Sequence, residues 1–547
     1  MSIQTDPHRD ATQPRSTDFD AVVVGAGFSG LRMLQELRGL DLSARVIEAG
    51  SDVGGTWYWN RYPGARTDSQ SWVYAYSFSE ELQQDWRWRE RYPTQPETLS
   101  YFEHVADRFD MRRDIEFDTR VESAVFDDAS TTWTVTTDRG QSYTCRYFIT
   151  ATGPLSQPYL PDFDGLADFE GQWLLTGRWP KEGVDFAGKR VAVVGTGATA
   201  VQIIPLVARE AAQLTVFQRT PSWALPARND ILTDFEDRAI KANYDAIWEQ
   251  ARQHFYGFPM DLAGRTGSDV TPEEQQRILE RAWEIGGFGF LFETFDDILV
   301  NDETNKIVSD FVRNKIRTVV EDPATAELLC PKDHPIGSKR PPLGHYYYET
   351  YNRDNVRLVD VSTTPISRIT PKGIRVGDDE YEADIIIFAT GFDAVTGTLN
   401  QIDIRGRDGV ELRSKWERGP RTHLGIGVDG FPNMFMVCGP QTPFANIPVV
   451  AEGIVEWIGT ALQHMHDNGI ERMEAEPGAV EQWRKHLDDI VNATVLVRAE
   501  RIWWLGDNIP GKPHAVLFYF AGAGAYRQEC QACIDEGFEG FTLTKTS

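Results

Sequence analysis

Residues 19–40 read FDAVVVGAGFSGLRMLQELRGL. The β-branched run Val22 to Val24 has the character of a buried strand. Gly25, Gly27 and Gly30 follow at G-x-G-x-x-G spacing, and apolar residues then recur at a helical period. Each glycine has a physical task. Gly25 permits a sharp turn, Gly27 lets backbone approach a pyrophosphate, and Gly30 lets the helix lie close to the strand. The helix N-terminus offers N–H donors and a positive dipole end to phosphate. Such a motif is weak alone. Here VIEAG (46–50) adds a second strand, with Glu48 about 20 residues on, where a carboxylate accepts hydrogen bonds from a ribose diol.

The unit recurs as KRVAVVGTGATAVQIIPLVARE (189–210), with Gly195, Gly197 and Thr199 in its turn and Ala200 in the third glycine position. Its second strand, LTVFQRTP (214–221), ends without an acid, and Arg219 and Thr220 stand there instead. A carboxylate repels a 2′-phosphate, whereas arginine grips one with a charge-assisted fork. The second site therefore reads as one for NADP(H) rather than NAD(H). A plain surface arginine is the other reading of Arg219. Two dinucleotide sites on one chain suggest a flavoprotein, with FAD in the first unit and NADP in the second. The choice between a reductase and an oxygenase stays open on these motifs.

The remaining texture fits an α/β chain. TTWTVTTD (131–138) alternates as an antiparallel strand does. FITATGPLSQP (148–158) and IIIFATGFD (385–393) read as buried strands ending at a ligand crevice. From about residue 226 to 335 charged helical patterns dominate, with a capping box expected at Thr271/Glu274 and a helix start at Asp322-Pro323. The expected fold is two Rossmann-like dinucleotide-binding domains with a helical insertion in the second. The expected boundaries are a disordered tail at 1–17, an FAD-binding domain from 18–155 and 391–547, an NADP-binding domain from 156–225 and 336–390, and the insertion at 226–335.

Composition sets outer limits. The chain has 547 residues, 41% hydrophobic and 25% charged, with a net charge of −27. So acidic a surface argues against nucleic acid and anionic membrane as partners. Five cysteines form no disulfide framework, and Cys530/Cys533 is a lone CxxC with weak metal or redox content. The first 20 residues lack an apolar core and no run of 18 apolar residues occurs, which points to the cytoplasm. Oligomeric state is not legible.

One stretch decides the chemistry through a resemblance. Residues 54–68 read GGTWYWNRYPGARTD, from Gly54, Gly55, Thr56 and Trp57 to Asp68. This resembles a signature of the Baeyer–Villiger monooxygenases: Gly-Gly-x-Trp, four residues, Tyr-Pro-Gly, then Asp. FEGQWLLTGRWP (169–180) is similar to another of the family's signatures, but Leu175 stands where the family has His. The likeness runs from about residue 18 to 543. It implies that Arg340 in GSKRPPLGHYYYETYNRDN (337–355) is the active-site arginine, held by Asp68. It also implies that Lys339 helps bind the NADP 2′-phosphate, and that Trp503 in WWLGDNIPGK (503–512) lies on a mobile loop near nicotinamide.

The implied reaction uses NADPH and O2 to place one oxygen beside a ketone carbonyl, through a C4a-peroxyflavin, giving an ester or lactone. A guanidinium suits the negative charge that develops, because it stays cationic at working pH. A structural salt bridge is the other reading of Asp68 and Arg340. Trp57 and Trp503 read as lids or as packed aromatics. GPQTPFAN (439–446) resembles the family's pocket loop in a short form, in a chain whose texture is closest to members taking bulky, cyclic or steroid-like ketones. A related flavin oxygenase acting on sulfur or nitrogen is the alternative. With His replaced by Leu175, the expectation is an active enzyme altered in rate and coupling, with position 175 in a connection between the two units.

Overall fold

The computed structural model describes residues 17–545. The tail expected over 1–17 lies almost wholly outside the described residues.

The first glycine turn joins a strand, Phe19–Val24, to a helix, Phe28–Gly39. The strand sits at the centre of an eight-stranded sheet. It pairs in parallel with Ala44–Ile47 on one side, Val23 opposite Val46, and with Ser142–Thr150 on the other, Val23 opposite Ile149. Beyond Ser142–Thr150 the sheet turns antiparallel, through Thr132–Thr137 and Val121–Asp127. Strand Thr132–Thr137 keeps the alternation its sequence announces, with Trp133 and Val135 fully buried. The C-terminal part of the chain returns to this sheet. Met434–Met436 pairs with Ser142–Thr150, and the helix Ile447–Asp467 packs against Phe28–Gly39.

The second glycine turn joins Arg190–Val194 to the helix Ala198–Glu210. Its sheet has five strands, all parallel, in the order Val356–Asp360, Gln213–Gln218, Arg190–Val194, Ile385–Phe388, Gln172–Leu175. Parallel strands need helices on their faces, and the runs VAVV and IIIF are accordingly buried throughout. Both sheets grow from strand–turn–helix units, so the α/β class with two Rossmann-like units is what the chain adopts.

Leu175 differs from its expected place. It closes the edge strand Gln172–Leu175, opposite Phe388, and so belongs to the five-stranded sheet rather than to a connection. Its half-buried side chain packs against the apolar cluster beneath that sheet, at whose margin Phe163 and Phe169 also lie.

Between the second unit and residue 335 the chain is helical, with Asp234–Ala242, Tyr244–Gln253, Pro272–Ile285 and Asp302–Val319 the longer helices. Asp322 caps its helix by accepting from Thr325 N–H. At Thr271 half of the expected box forms: Thr271 Oγ1 accepts from Glu274 N–H at 3.4 Å, but the glutamate makes no return bond. Glu274 instead pairs with Arg277. The full box forms at Thr233/Glu236. Cys530 and Cys533 lie on the helix Ala523–Asp535, where burial pushes both thiols up to about 12. Among the described residues no helix is long and apolar enough to cross a membrane.

Two crossovers link the sheets side by side. Residues 153–159 leave the eight-stranded sheet and residues 389–395 return to it. They are joined by Tyr159 N–H to Gly391 O, Asp393 N–H to Gln157 O and Val395 N–H to Pro154 O.

Candidate active site

A cavity of about 670 Å³ lies where the two glycine turns face each other. Gly25, Gly27, Gly55 and Thr56 line it on one side, Thr199 and Gln202 on the other, with Asp68 and Arg340 between.

The backbone at these turns is bare. A Cβ on Gly30 would meet Gly25 O at 1.7 Å, so the helix can approach the strand only with glycine there. A Cβ on Gly55 would meet Gly27 Cα at 2.9 Å, and the two loops lie against each other through glycine alone. Neither helix has a side-chain cap, since Gly27 and Gly197 occupy the cap positions. Their first N–H groups therefore remain free for an anion, as pyrophosphate binding requires. These features fit two dinucleotides. The first turn is built from Gly25, Gly27 and Gly30 with Gly55 and Thr56 beside it, and the second from Gly195, Gly197 and Thr199.

Glu48 does more than the motif announces. Its Oε2 accepts from Ala26 N–H at 2.7 Å and its Oε1 from Gly50 N–H at 2.6 Å, so it braces the first glycine turn. Burial raises its carboxyl above the ordinary value, against those two bonds. Glu48 also lines the cavity. Across the molecule, Arg219 stands exposed at the end of Gln213–Gln218, and Thr196 Oγ1 donates to Thr220 O at 2.6 Å, tying turn to strand end. Lys339 is half-buried and close enough to Arg219 for the two charges to disfavour each other.

Asp68 and Arg340, 272 positions apart in the chain, are neighbours here. Arg340 Nη2 lies 3.1 Å from Asp68 Oδ2, with side-chain exposures of 37% and 2%. Asp68 Oδ1 is buried without a hydrogen-bond partner. Burial raises the Asp68 carboxyl above its ordinary value and Arg340 opposes that rise. Tyr62 and Gln202 complete this floor. Tyr62 donates to Gln202 Oε1 at 2.8 Å, and Gln202 Nε2 donates to Arg66 O. Gln202 carries no motif signal, and its position one turn beyond Thr199 is the only hint in the sequence.

The roof is aromatic. Phe444 sits among Tyr256, Trp503, Trp504, Phe518 and Phe520, with ring centres 5.3–5.7 Å away. Trp503 lines the cavity and is half-buried. Trp57 is 7% exposed, and its indole N–H donates to Tyr74 OH at 3.2 Å. In this structure it is a packed aromatic of the cavity wall. His254 had no place in the sequence reading. Its Nδ1 accepts from the N–H of Tyr256 and, at longer range, of Phe258, which sets the turn carrying both rings into the cavity.

Comparison with known proteins agrees with this geometry. Residues 20–234 match the model of the flavin-binding monooxygenase-like family. A Baeyer-Villiger monooxygenase of Pseudooceanicola batsensis is 44% identical over 550 aligned positions, covering 100% of this chain and 99% of the relative. The chain belongs to the Baeyer–Villiger monooxygenases. It is an NADPH-dependent flavin monooxygenase, of the class that inserts one oxygen atom beside a ketone carbonyl to give an ester or lactone, and its cofactors are FAD and NADP. The crystal structure of OTEMO in complex with FAD and NADP superposes with a TM-score of 0.93 at 42% identity, covering 97% of this chain and 100% of that one. Phenazine N-monooxygenase PhzNO1 of Lysobacter antibioticus is 42% identical, covering 96% of this chain and 97% of the relative. For a Baeyer–Villiger monooxygenase, Leu175 is the departure from pattern, and it lies against an apolar cluster.

Proposed function

We propose that Arg340 is the cation at which negative charge on oxygen is stabilised during attack on a ketone carbonyl, and that Asp68 holds it there. The observation that carries this is the 3.1 Å pair, set where both glycine turns open into one cavity. FAD and NADP, when bound, supply the redox and dioxygen chemistry. The chain's own residues supply charge, position and dryness. Arg340 stays cationic and cannot readily give up a proton, so it stabilises an anion without quenching it. Removing one such preorganised donor typically costs about 100- to 1,000-fold in rate. Asp68, almost wholly buried, fixes the guanidinium from one side and leaves its other N–H groups toward the cavity. Trp57, Phe444 and Trp503 keep water from the reacting atoms.

The chain's residues divide between the two cofactors. The turn at Gly25, Gly27 and Gly30, with Glu48, Gly55, Thr56 and Trp57, holds FAD. The turn at Gly195, Gly197 and Thr199 holds the NADP pyrophosphate, and Arg219, Thr220 and Lys339 hold its 2′-phosphate. On this reading residues 18–155 with 391–547 form the FAD-binding domain, 156–225 with 336–390 the NADP-binding domain, and 226–335 the insertion. The insertion then has a task, since it brings Tyr256, Phe258, Phe288 and Phe292 to the cavity. Flat aromatic walls favour a ketone carrying an apolar ring system.

The test is turnover of a panel of cyclic, linear and aryl ketones with NADPH under 18O2. Formation of an ester or lactone with one 18O atom supports the reading. If the panel yields only hydrogen peroxide while a phenazine or thioether is oxygenated, the nitrogen or sulfur reading replaces it. The phenazine enzyme among the relatives makes that control necessary.

A further inference from the structure

We propose that Arg501 is a third cation of the site for the NADP 2′-phosphate, and that it brings this contact on the segment that also carries Trp503. The inference rests on the reading that Arg219 and Lys339 face that phosphate.

Among the described residues, three cations converge without an ion-pair partner. Lys339 Nζ makes one hydrogen bond, to Glu500 O at 2.6 Å, which ties the lysine to the residue just before Arg501. Among the described residues neither Arg219, Lys339 nor Arg501 forms an ion pair. Two carboxylates lie in the neighbourhood and favour the Lys339 charge, but Asp333 is bonded to His334 and neither forms an ion pair with the three cations. The Arg219 side chain reaches solvent, yet partial desolvation by the chain around it lowers its guanidinium first, and the charge of Arg501 lowers it further. Lys339 is pushed down by burial, then by Arg219, with Arg501 adding to it and Asp333 and Glu500 opposing. Three mutually repelling cations are unfavourable unless an anion sits among them. The setting sharpens the point, because the chain carries 82 acidic residues against 55 basic ones. The preceding arginine of the same segment, Arg498, does find a carboxylate, Asp302.

The backbone gives a second, independent sign. Arg501 has φ +54°, in the left-handed region that side chains other than glycine, asparagine and aspartate seldom adopt. Such a conformation persists where the surroundings over-determine it, and it is concentrated at ligand clamps. Here it turns the chain between Glu500, held by Lys339, and Ile502, which is buried. Trp503 follows at the cavity wall. A phosphate monoester presents three acceptor oxygens, enough for all three cations. The 2′-phosphate would thus be read by two residues of the five-stranded-sheet region and by one of the C-terminal segment. NAD(H), lacking that phosphate, would leave Arg501 without its anion and the segment less firmly held.

The experiment uses the FAD-loaded protein and Arg501→Asn, which removes the charge while tolerating a left-handed backbone. Dissociation constants are measured by calorimetry for NADP+, NAD+, adenosine 2′,5′-bisphosphate and AMP, with Arg219→Ala and Lys339→Ala in parallel. The expected result is that Arg501→Asn weakens NADP+ and the bisphosphate at least about tenfold and leaves NAD+ and AMP within about twofold. Hydrogen exchange over residues 495–512 should be slowed more by NADP+ than by NAD+ in the parent protein, and equally by both in the variant. Equal weakening of all four ligands, or of none, overturns the role of Arg501. If Arg219→Ala and Lys339→Ala also leave NADP+ binding unchanged, the assignment of the 2′-phosphate site itself fails. If they weaken it and Arg501→Asn does not, only the inference on Arg501 fails.

Discussion

Lys512 Nζ lies 2.6 Å from Asp393 Oδ1 and 2.6 Å from Ala394 O, with its side chain only 8% exposed. One residue belongs to the C-terminal loop that carries Trp503, the other to the crossover between the two sheets. Asn508 adds a bond to Phe392 O at 3.0 Å. The loop is therefore fastened to the strip of chain about which the two sheets are joined. Lys512→Met keeps the aliphatic stem and removes the fastening. A part-buried charged hydrogen bond of this kind is worth about 1.5–3 kcal/mol. Hydrogen exchange over residues 503–515 should speed up correspondingly, and more peroxide should escape per NADPH consumed. Unchanged exchange in the loop would show that Lys512 is not its anchor.

Asp68 sets a pH limit. Burial holds its carboxyl above the ordinary 3.8, so the folded protein takes up this proton more readily than the unfolded chain does. Acid thus relieves the cost of burying the charge but removes the anion opposite Arg340. The rate of ester formation should fall on an acid limb lying above pH 3.8. Asp68→Asn should be slower, by about 10- to 100-fold for one charged hydrogen bond, and should lack that limb. A kcat/KM profile against pH decides the matter, and an identical acid limb in both proteins would separate Asp68 from the activity.

His254 works in the opposite sense. Burial lowers its imidazole to about 4, so the folded chain refuses a proton that the unfolded chain accepts below pH 6.5. Its contribution is present in full above pH 6.5 and is lost as pH falls toward 4, by up to about 3 kcal/mol. His345, lowered to about 3 by burial, adds in the same direction. His254→Gln can still accept a backbone N–H and does not titrate in this range. Melting temperatures of the holoenzyme followed by flavin fluorescence should fall less steeply between pH 6.5 and 4.5 in the variant. Parallel curves would assign the acid sensitivity elsewhere.

Leu175 packs, half-buried, against the apolar cluster that holds Phe388. Restoring the family residue by Leu175→His sets imidazole nitrogens against this apolar surface, at a cost of about 1 kcal/mol for a half-buried position. The expected outcome is a lower melting temperature with ester formation retained, since Asp68 and Arg340 are untouched. A variant that is more stable and releases less peroxide would mean that a polar partner stands ready for the histidine.

Much of this was legible in the sequence, for identifiable reasons. The glycine turns are read because a strand, a tight turn and a helix impose spacing on a dozen consecutive residues. Arg219 stands out because its strand end lacks the acid that Glu48 supplies in the first unit. Asp68 and Arg340 carry no local signal that joins them, and only the family resemblance brings them together. Arg501, His254 and the Lys512–Asp393 contact were missed because each depends on packing between distant segments. The Thr271 box is half-formed for a local reason, since Glu274 pairs with Arg277 one turn along the same helix. The strand at Leu175 is not legible, because four residues are too few to reveal an edge strand by period.

The most direct measurement is a single turnover of Arg340→Ala, carrying FAD and NADPH, with a ketone the parent enzyme converts, under 18O2. The quantity read is labelled ester per flavin. The expected result is that NADPH is still oxidised while the rate of ester formation drops by about 100- to 1,000-fold and oxygen leaves as peroxide. Labelled ester at the parental rate would contradict the assignment of Arg340.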